Sequence, residues 1–311
     1  MNRNAADIER VMLRVPRKAL RAPYWLAGHL VGLQGDFCER KRPDPDVIHD
    51  ARVAGRRFLA VVDLMEPLLL SPDPAIAEAV RRGTRALGRL RDADVLVELL
   101  AGLHSSHPAA VDHLRWRAAR VRGALMSRAK RRVGVSMAAL FHVLSEDAFV
   151  CPPAAAITQQ SLGRVRARAG RVLRGCTAAL MAATPSAPIT QLHDCRLTAK
   201  RLRYTLEPLV GASARARRVM TECRALQEVL GAICDRDNAA TELLSRAEAL
   251  ESAASPAKRT LARDVRVLAE HMARVRDTLC GAFFEEWDTA RVRAFRSAAA
   301  SLIAQAFGCT G

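Results

Sequence analysis

The sequence predicts an all-α protein built from two related helical halves. Apolar residues recur at spacings of three and four, as in Val80, Leu87, Leu90 and Val97, which is the period of an amphipathic helix. Runs rich in Ala, Leu, Arg and Glu favour helices, and the alternation typical of a half-buried strand is absent. The third observation is an internal repeat, which indicates how the helices are organised.

Proline-containing breakers divide the helical pattern at 42–45, 71–74, 151–153, 184–188 and 255–256. Asp44, Asp73 and Ser255 stand where helix N-caps belong, each directly followed by proline. This punctuation predicts about eight main helices and a short terminal one. The apolar run 24–33 is too short to span a bilayer and is read as the first core helix. No other segment reaches that length, so we expect no membrane insertion.

The charge balance predicts an anionic partner. The 311-residue chain carries 49 Lys and Arg against 32 Asp and Glu, a formal net charge of +17. A positive excess of this size favours nucleic acid, an anionic surface or a polyphosphorylated compound as partner. Aromatic residues are only 4% of the chain, which argues against base-stacking platforms. The eight cysteines form no CxxC pair and are expected to be buried thiols in a reducing cytosol.

Two motifs occur twice at nearly the same offset. The segment from His49 to Arg57 matches the segment from His193 to Arg201, with four identical positions and an offset of 144 residues. The segment 87–94 matches 230–237 at an offset of 143. Two motifs at one offset predict a duplicated helical unit, with each half large enough for a four-helix bundle.

The first motif forms a ladder of basic groups on one helix stripe. At about 100° per residue, His49, Arg52 and Arg56 fall within about 60° of arc. His193, Arg196, Lys200 and Arg203 fall within about 80°, with Tyr204 beside them. Such a ladder presents one basic group per turn, which suits a linear polyanion. A solvated outer helix face is the other interpretation.

Other charged groups and histidines indicate a binding function less specifically than the two ladders do. The ridge Arg81, Arg85 and Arg89 fits either a solvated face or a ligand contact. Paired acids at 92, 94, 235 and 237 are expected to hold arginines in place, with metal binding as the alternative. His104, His107 and His113 are expected in a solvent-facing loop, because their spacing matches no zinc pattern. No phosphate-cradling loop, GxSxG, HExxH or GxGxxG motif occurs, so the sequence predicts a non-catalytic protein without a cofactor or metal.

The two ladders and their partner motifs resemble the CHAD domain, the conserved-histidine α-helical domain. The resemblance covers about residues 22–300 and rests most on the segments 193–204 and 226–235. It implies two four-helix bundles related by pseudo-twofold symmetry, with basic helices facing a central positive surface. It divides the chain into a basic tail at 1–21, a first half at 22–150 and a second half at 151–311.

The resemblance also implies a function, the binding of inorganic polyphosphate by a cytoplasmic protein associated with polyphosphate granules. The expected binding residues are His49, Arg52, Arg56, Arg57, Arg85, Arg89, His193, Arg196, Lys200, Arg201, Arg203 and Tyr204. The first half has Leu59 where the second has Arg203, so its ladder is one rung shorter and is expected to contribute less. General polyanion or weak nucleic-acid binding is one alternative, and a polyphosphate-metabolising enzyme using the histidines is another. The oligomeric state stays open.

Overall fold

The computed structural model describes residues 17–69, 73–145, 158–209, 214–253 and 255–307. Over these ranges the chain forms nine α-helices, two 3-10 turns and no strand, which confirms the all-α prediction. The helices are α1 (Arg17–Glu39), α2 (Pro45–Met65), α3 (Pro74–Ala101), α4 (Pro108–Ser145), α5 (Gln159–Ala182), α6 (Ile189–Leu206), α7 (Ala214–Glu251), α8 (Pro256–Glu286) and α9 (Thr289–Ala306). The 3-10 turns are Glu66–Leu68 and Glu207–Leu209.

Helices α2, α3 and α8 start directly after the predicted N-cap residues Asp44, Asp73 and Ser255. Asp44 accepts a hydrogen bond from the backbone N–H of Val47 at 2.9 Å, and Asp73 accepts one from Ala75 at 2.8 Å. Ser255 occupies the N-cap of α8, but its side chain makes no capping hydrogen bond. Proline at the first position of α2, α3 and α8 therefore also favours the start of these helices.

Helix α1 begins at Arg17, within the segment 1–21 that the sequence analysis separates as a basic tail. Residues 1–16 and the predicted junction between 150 and 151 lie outside the described ranges. The terminal helix α9 has 18 residues and is longer than expected. Every cysteine within the described ranges is a free thiol.

The first half closes into a ring of four helices. Helix α1 packs on α2, α2 on α3, α3 on α4, and α4 returns to α1. Phe37, Ile48, Leu87 and Val133 supply one core side chain from each of these helices and are fully buried. Burying a Leu or Phe side chain contributes roughly 1.5–3 kcal/mol, so this ring holds the α2 ladder on a rigid support.

The second half reaches a similar ring with a different closing helix. Helices α5, α6, α7 and α8 pack in sequence, and α9 then packs on both α5 and α7. Phe283 and Trp287, at the end of α8, join the same core as α9 residues Phe295 and Leu302. The contact pattern parallels the first half, while the duplication and the pseudo-twofold axis remain predictions.

The two halves share their hydrophobic core. One cluster contains Phe58 and Val61 of α2 together with Leu202 and Leu206 of α6. A second cluster joins the far ends of the α3–α4 and α7–α8 hairpins through Leu100, Val111, Leu243 and Leu268. No described helix is long and apolar enough to cross a membrane. The shared core holds α2 directly against α6, and this contact brings the two predicted ladders together.

Candidate functional site

Four basic side chains meet where α2 packs on α6. Arg52 and Arg56 belong to α2, and Arg196 and Lys200 belong to α6. All four are partly buried and lie close enough to repel one another electrostatically. We call this region the central cleft, defined by these four residues and the facing acids Asp92 of α3 and Asp235 of α7. The structure therefore brings the middle rungs of both ladders into one site.

The glycines of the second repeated motif leave space for the arginines of the first repeated motif. A Cβ atom added at Gly88 would lie 3.3 Å from Nε of Arg52. A Cβ atom at Gly231 would lie 4.0 Å from Nε of Arg196. One turn beyond each glycine stands an acid, Asp92 or Asp235, on the same helix. The repeat therefore has a structural explanation, because the glycine leaves space for a guanidinium and the acid follows beside it.

Arg196 and Arg52 differ in whether an acid at ion-pair distance neutralises their charge. Arg196 donates a hydrogen bond to Asp235 at 2.8 Å and forms an ion pair with it. Within the described residues, Arg52 has no acid within ion-pair distance, although Asp92 attracts it from further away. Burial, followed by the charge of Arg56, lowers the pKa of Arg52 to about 10. The α2 side of the cleft therefore carries the less compensated charge.

Lys200 is the cation most affected by its surroundings. Burial lowers its pKa to about 7, and repulsion by Arg196, Arg56 and Arg52 adds to the shift. Asp235 opposes the shift and does not reverse it. Lys200 also lines an open cavity of about 720 Å³ together with Arg56, Leu59 and Tyr204. The cavity gives an anion access to the ammonium group from solvent.

Buried Nε–H donors without a partner occur on both ladders. The Nε–H groups of Arg52, Arg196 and Arg203 are buried and have no hydrogen-bond partner in the described part of the chain. The Nε atoms of Arg52 and Arg196 lie against the neighbouring helices at Gly88 and Gly231, whereas Arg203 is bound to Gln227.

Arg203 and Tyr204 end the α6 ladder in a more constrained way. Arg203 donates to Oε1 of Gln227 at 2.6 Å, and its guanidinium lies 5.5 Å from the ring centre of Tyr204. Tyr204 is buried, with 6% of its surface exposed, and it lines the cavity beside Lys200. Both residues adjoin the central cleft, but Arg203 already has a partner.

Arg57 and Arg201 occupy equivalent positions in the repeat and hold the two halves together. Arg57 of α2 donates two hydrogen bonds to the carboxylate of Glu207, each 3.0 Å long. Arg201 of α6 donates to Asp63 at 2.9 Å, and Arg168 of α5 donates to Glu66 at 2.6 Å. These two predicted binding residues are engaged in ion pairs across the interface, and their role as ligand contacts stays a prediction.

The histidines that begin each ladder are solvent-exposed. His49 lies one turn before Arg52, where partial burial and the charge of Arg91 lower its pKa. His193 holds the equivalent position before Arg196 on α6. Neither belongs to a group that could hold a metal ion, and no such group occurs among the described residues. The structure places both histidines at the rim of the cleft.

Arg85 and Arg89, the remaining predicted contacts, lie on α3. Arg85 is 3.6 Å from Glu78, which also pairs with Arg81 and Arg82. Arg89 lines a second cavity that includes Asp92 and Asp235. Both arginines are exposed and lie beside the central cleft rather than inside it.

The sequence predicts that the four acids of the second motif pair with the repeated arginines, and among the described residues only Asp235 does so. Beyond the pair made by Asp235, Asp94 accepts from Arg122 of α4 at 3.0 Å. Asp237 accepts from Arg276 of α8 at 2.8 Å. The partners of Asp94 and Asp237 are thus arginines of the next helix, which the sequence did not single out.

The predicted histidine loop is only partly a loop. His104 and His107 lie at the α3–α4 connection, and His113 lies within α4. Nε2 of His104 is 3.1 Å from Oδ1 of Asp112, while the rings of His113 and Trp116 are 6.2 Å apart. The imidazoles are therefore engaged with different neighbours.

Comparison with known proteins identifies the family. The family model for the CHAD domain matches residues 26–244. The crystal structure of the CHAD domain from the plant Ricinus communis matches with a TM-score of 0.63 and 18% identity, covering 92% of this chain and 91% of that one. PptA from Streptomyces chartreusis matches with a TM-score of 0.56 and 20% identity, covering 85% of this chain and 98% of that one.

The two structural matches support the fold alone, because their sequence identities are low. None of the curated proteins compared with the chain is a significant match to its sequence. The family model, in contrast, spans well over half of the chain and includes both ladders and both glycine–acid motifs. The protein belongs to the CHAD domain family.

Proposed function

We propose that this protein binds inorganic polyphosphate in the central cleft and does not cleave it. The observation that carries the proposal is the group of four mutually repelling cations, Arg52, Arg56, Arg196 and Lys200, faced by two acids. Removing these charges from water is unfavourable unless an anion compensates them. A bound phosphate chain would relieve the repulsion and accept hydrogen bonds from the guanidinium and ammonium groups of these side chains.

The arrangement favours a chain of phosphates over a single phosphate group. Rungs three and four residues apart on a helix advance by roughly 5 Å along its axis, so successive rungs reach successive phosphates. The cleft draws rungs from two adjacent helices, which extends the contact sideways as well. The family resemblance makes inorganic polyphosphate the specific candidate, in the cytoplasm and on polyphosphate granules.

The absence of sequence motifs for phosphoryl transfer supports binding rather than catalysis. The rim histidines are the residues that an enzymatic alternative would use. That alternative predicts metal-dependent release of phosphate from polyphosphate that disappears in His193→Ala. Stable polyphosphate after prolonged incubation with the protein and divalent metals is the outcome we expect.

General polyanion binding is a second candidate function, favoured by the net charge of +17. Nucleic acid would be attracted by the same charges with a steep salt dependence. The exposed aromatic side chains of the described residues, Tyr24, Trp25, Trp116 and Phe141, belong to α1 and α4 and are not among the residues that form the cleft, so they offer no base-stacking platform there.

A competition titration separates these candidates. Labelled long-chain polyphosphate is bound at near-physiological salt and challenged with single- and double-stranded nucleic acid at equal phosphate concentration. The variant Arg52→Ala/Arg56→Ala/Lys200→Ala is compared with Arg215→Ala/Arg293→Ala/Arg296→Ala, which replaces three basic residues at exposed positions. We expect polyphosphate to resist displacement and only the cleft variant to lose it. Free displacement by nucleic acid, with equal losses in both variants, would refute the proposal.

A further inference from the structure

A second group of arginines lies on the neighbouring helix pair and extends the positive surface. Arg82, Arg85 and Arg89 occupy one stripe of α3, within about 60° of arc. All three are exposed, with 66% and 67% of the Arg82 and Arg85 side chains accessible. Arg82 and Arg89 are about 10 Å apart along the helix axis. The stripe therefore presents three guanidinium groups to solvent on the outer side of α3.

Helix α4 adds two more arginines beside this stripe. Arg128 and Arg132 are four residues apart and lie on one face of α4. The two helices approach closely at Gly83, where an added Cβ would lie 3.5 Å from the backbone oxygen of Arg132. Repulsion by Arg128, and further by Arg89, Arg82 and Arg85, lowers the pKa of Arg132. These five residues form one cluster, which we call the α3–α4 arginine patch.

The patch has little acidic compensation. Glu78 pairs with Arg82 at 3.0 Å and with Arg85 at 3.6 Å, and it also pairs with Arg81. In the part of the chain that the structure describes, Arg89, Arg128 and Arg132 form no ion pair. Among the described residues, one carboxylate therefore pairs with two of the five guanidinium groups of the patch. This differs from the interface between the halves, where Arg57, Arg168 and Arg201 all have acidic partners.

The patch adjoins the central cleft. Arg89 lines a cavity together with Asp92 and Asp235, the two acids that face the cleft. Arg81, which directly precedes Arg82, lines the cavity that holds Arg56 and Lys200. Helix α3 thus contributes residues both to the cavities at the cleft and to the patch. Arg89 is therefore the patch residue that shares a cavity with the acids of the cleft.

We propose that the α3–α4 arginine patch is a second phosphate-binding surface, engaged by long polyphosphate chains that already occupy the central cleft. This inference rests on the proposed function of the cleft. A chain held at the cleft is at high effective concentration near the patch, so the second contact adds affinity without a second bimolecular step. A short chain fills the cleft and does not reach the patch. The patch therefore makes the affinity depend on chain length.

The test compares two ligands and matched pairs of variants. Arg128→Gln/Arg132→Gln removes two charges from the patch, and Arg293→Gln/Arg296→Gln removes two exposed charges from α9. The dissociation constants for tripolyphosphate and long-chain polyphosphate are measured by calorimetry at fixed salt. The patch variant is expected to raise the long-chain constant at least about tenfold and to leave the tripolyphosphate constant within about twofold. The α9 variant is expected to change both constants by less than about twofold.

The outcomes separate this inference from the proposed function. If wild-type protein binds neither ligand, the proposed function fails. If the cleft variant loses both ligands while the patch variant behaves like the α9 variant, only the present inference is overturned. Arg85→Gln/Arg89→Gln repeats the test from α3, should the α4 variant fail to fold by circular dichroism. A patch variant that loses DNA but retains long-chain polyphosphate also overturns the inference.

Discussion

The ladders on α2 and α6 arise from the same sequence motif and end in different electrostatic states. On α6, Arg196 is paired with Asp235 and Arg203 is bound to Gln227. On α2, Arg52 faces Asp92 without an ion pair, and Arg56 has no acid at ion-pair distance in the described structure. The motif thus specifies where a cation stands, while the surrounding helices decide whether its charge is already satisfied.

The two ladders are expected to contribute differently to the binding free energy. The first ladder lacks the rung equivalent to Arg203, because Leu59 stands there, and the sequence suggested a smaller contribution from it. The missing rung corresponds to an arginine that is already engaged on α6. Leu59 instead lines the cavity beside Arg56. We therefore expect the shorter ladder to contribute more binding free energy.

The largest effect is expected from removing the α2 charges. Arg52→Ala/Arg56→Ala should raise the dissociation constant for polyphosphate at least about 100-fold, because hydrogen bonds to charged groups contribute about 1.5–3 kcal/mol each. Arg196→Ala/Asp235→Ala deletes a whole ion pair without changing the net charge and should raise it less than about tenfold. Calorimetric titration of both variants checks this order. Equal losses would mean that compensation does not decide the contribution of a rung.

The equivalent rungs Arg56 and Lys200 should differ in their response to pH. Lys200 has a lowered pKa of about 7, so it loses its charge as the pH rises through 7, whereas the Arg56 guanidinium stays protonated. A bound anion raises the pKa of Lys200, so binding at pH 8 should take up about one proton. The affinity should then fall between pH 7 and pH 8.5, by at most about tenfold per pH unit.

Proton uptake is measured by calorimetry in two buffers of different ionisation enthalpy. Lys200→Arg is the control, because its side chain keeps its charge across this range. An unchanged pH profile in that variant would show that another group titrates.

A smaller difference in polyphosphate affinity is expected between alanine substitutions at Gly88 and at Gly231. An alanine at Gly88 places its Cβ 3.3 Å from Nε of Arg52, which must then shift, whereas at Gly231 the distance is 4.0 Å. Gly88→Ala should weaken polyphosphate binding by about threefold to tenfold, and Gly231→Ala by less than about twofold. Side-by-side titrations test this, with thermal unfolding as a check that both variants are folded.

The smallest effect on binding is expected from the arginines at the interface of the halves. Arg57→Ala removes two hydrogen bonds to a half-buried Glu207 and should lower the free energy of unfolding by about 1 kcal/mol. Arg201→Ala removes a more exposed pair with Asp63 and should cost less than about 0.5 kcal/mol. Denaturant unfolding gives these values. A loss of polyphosphate affinity as large as that of the α2 variant would instead identify Arg57 as a ligand contact.

The sequence by itself determined the fold class, the helix starts at Asp44 and Asp73, and the residues of both ladders. These features depend on local rules, namely helical periodicity, capping and the repetition of one motif. The repeat also indicated that Gly88 and Gly231 matter, although the space they leave for an arginine was not evident from it. The family could be assigned from the same residues.

Only the tertiary structure decided which charges meet and which are satisfied. The contact of α2 with α6 follows from a core shared by both halves, and no local pattern in either helix predicts it. Arg128 and Arg132 lie outside both repeated segments, so the sequence motifs did not single them out. Ion pairing depends on the packing of neighbouring helices to within an ångström or so, because a charge pair is strong only at contact distance. Periodicity places a side chain on a face, and packing then determines its partner.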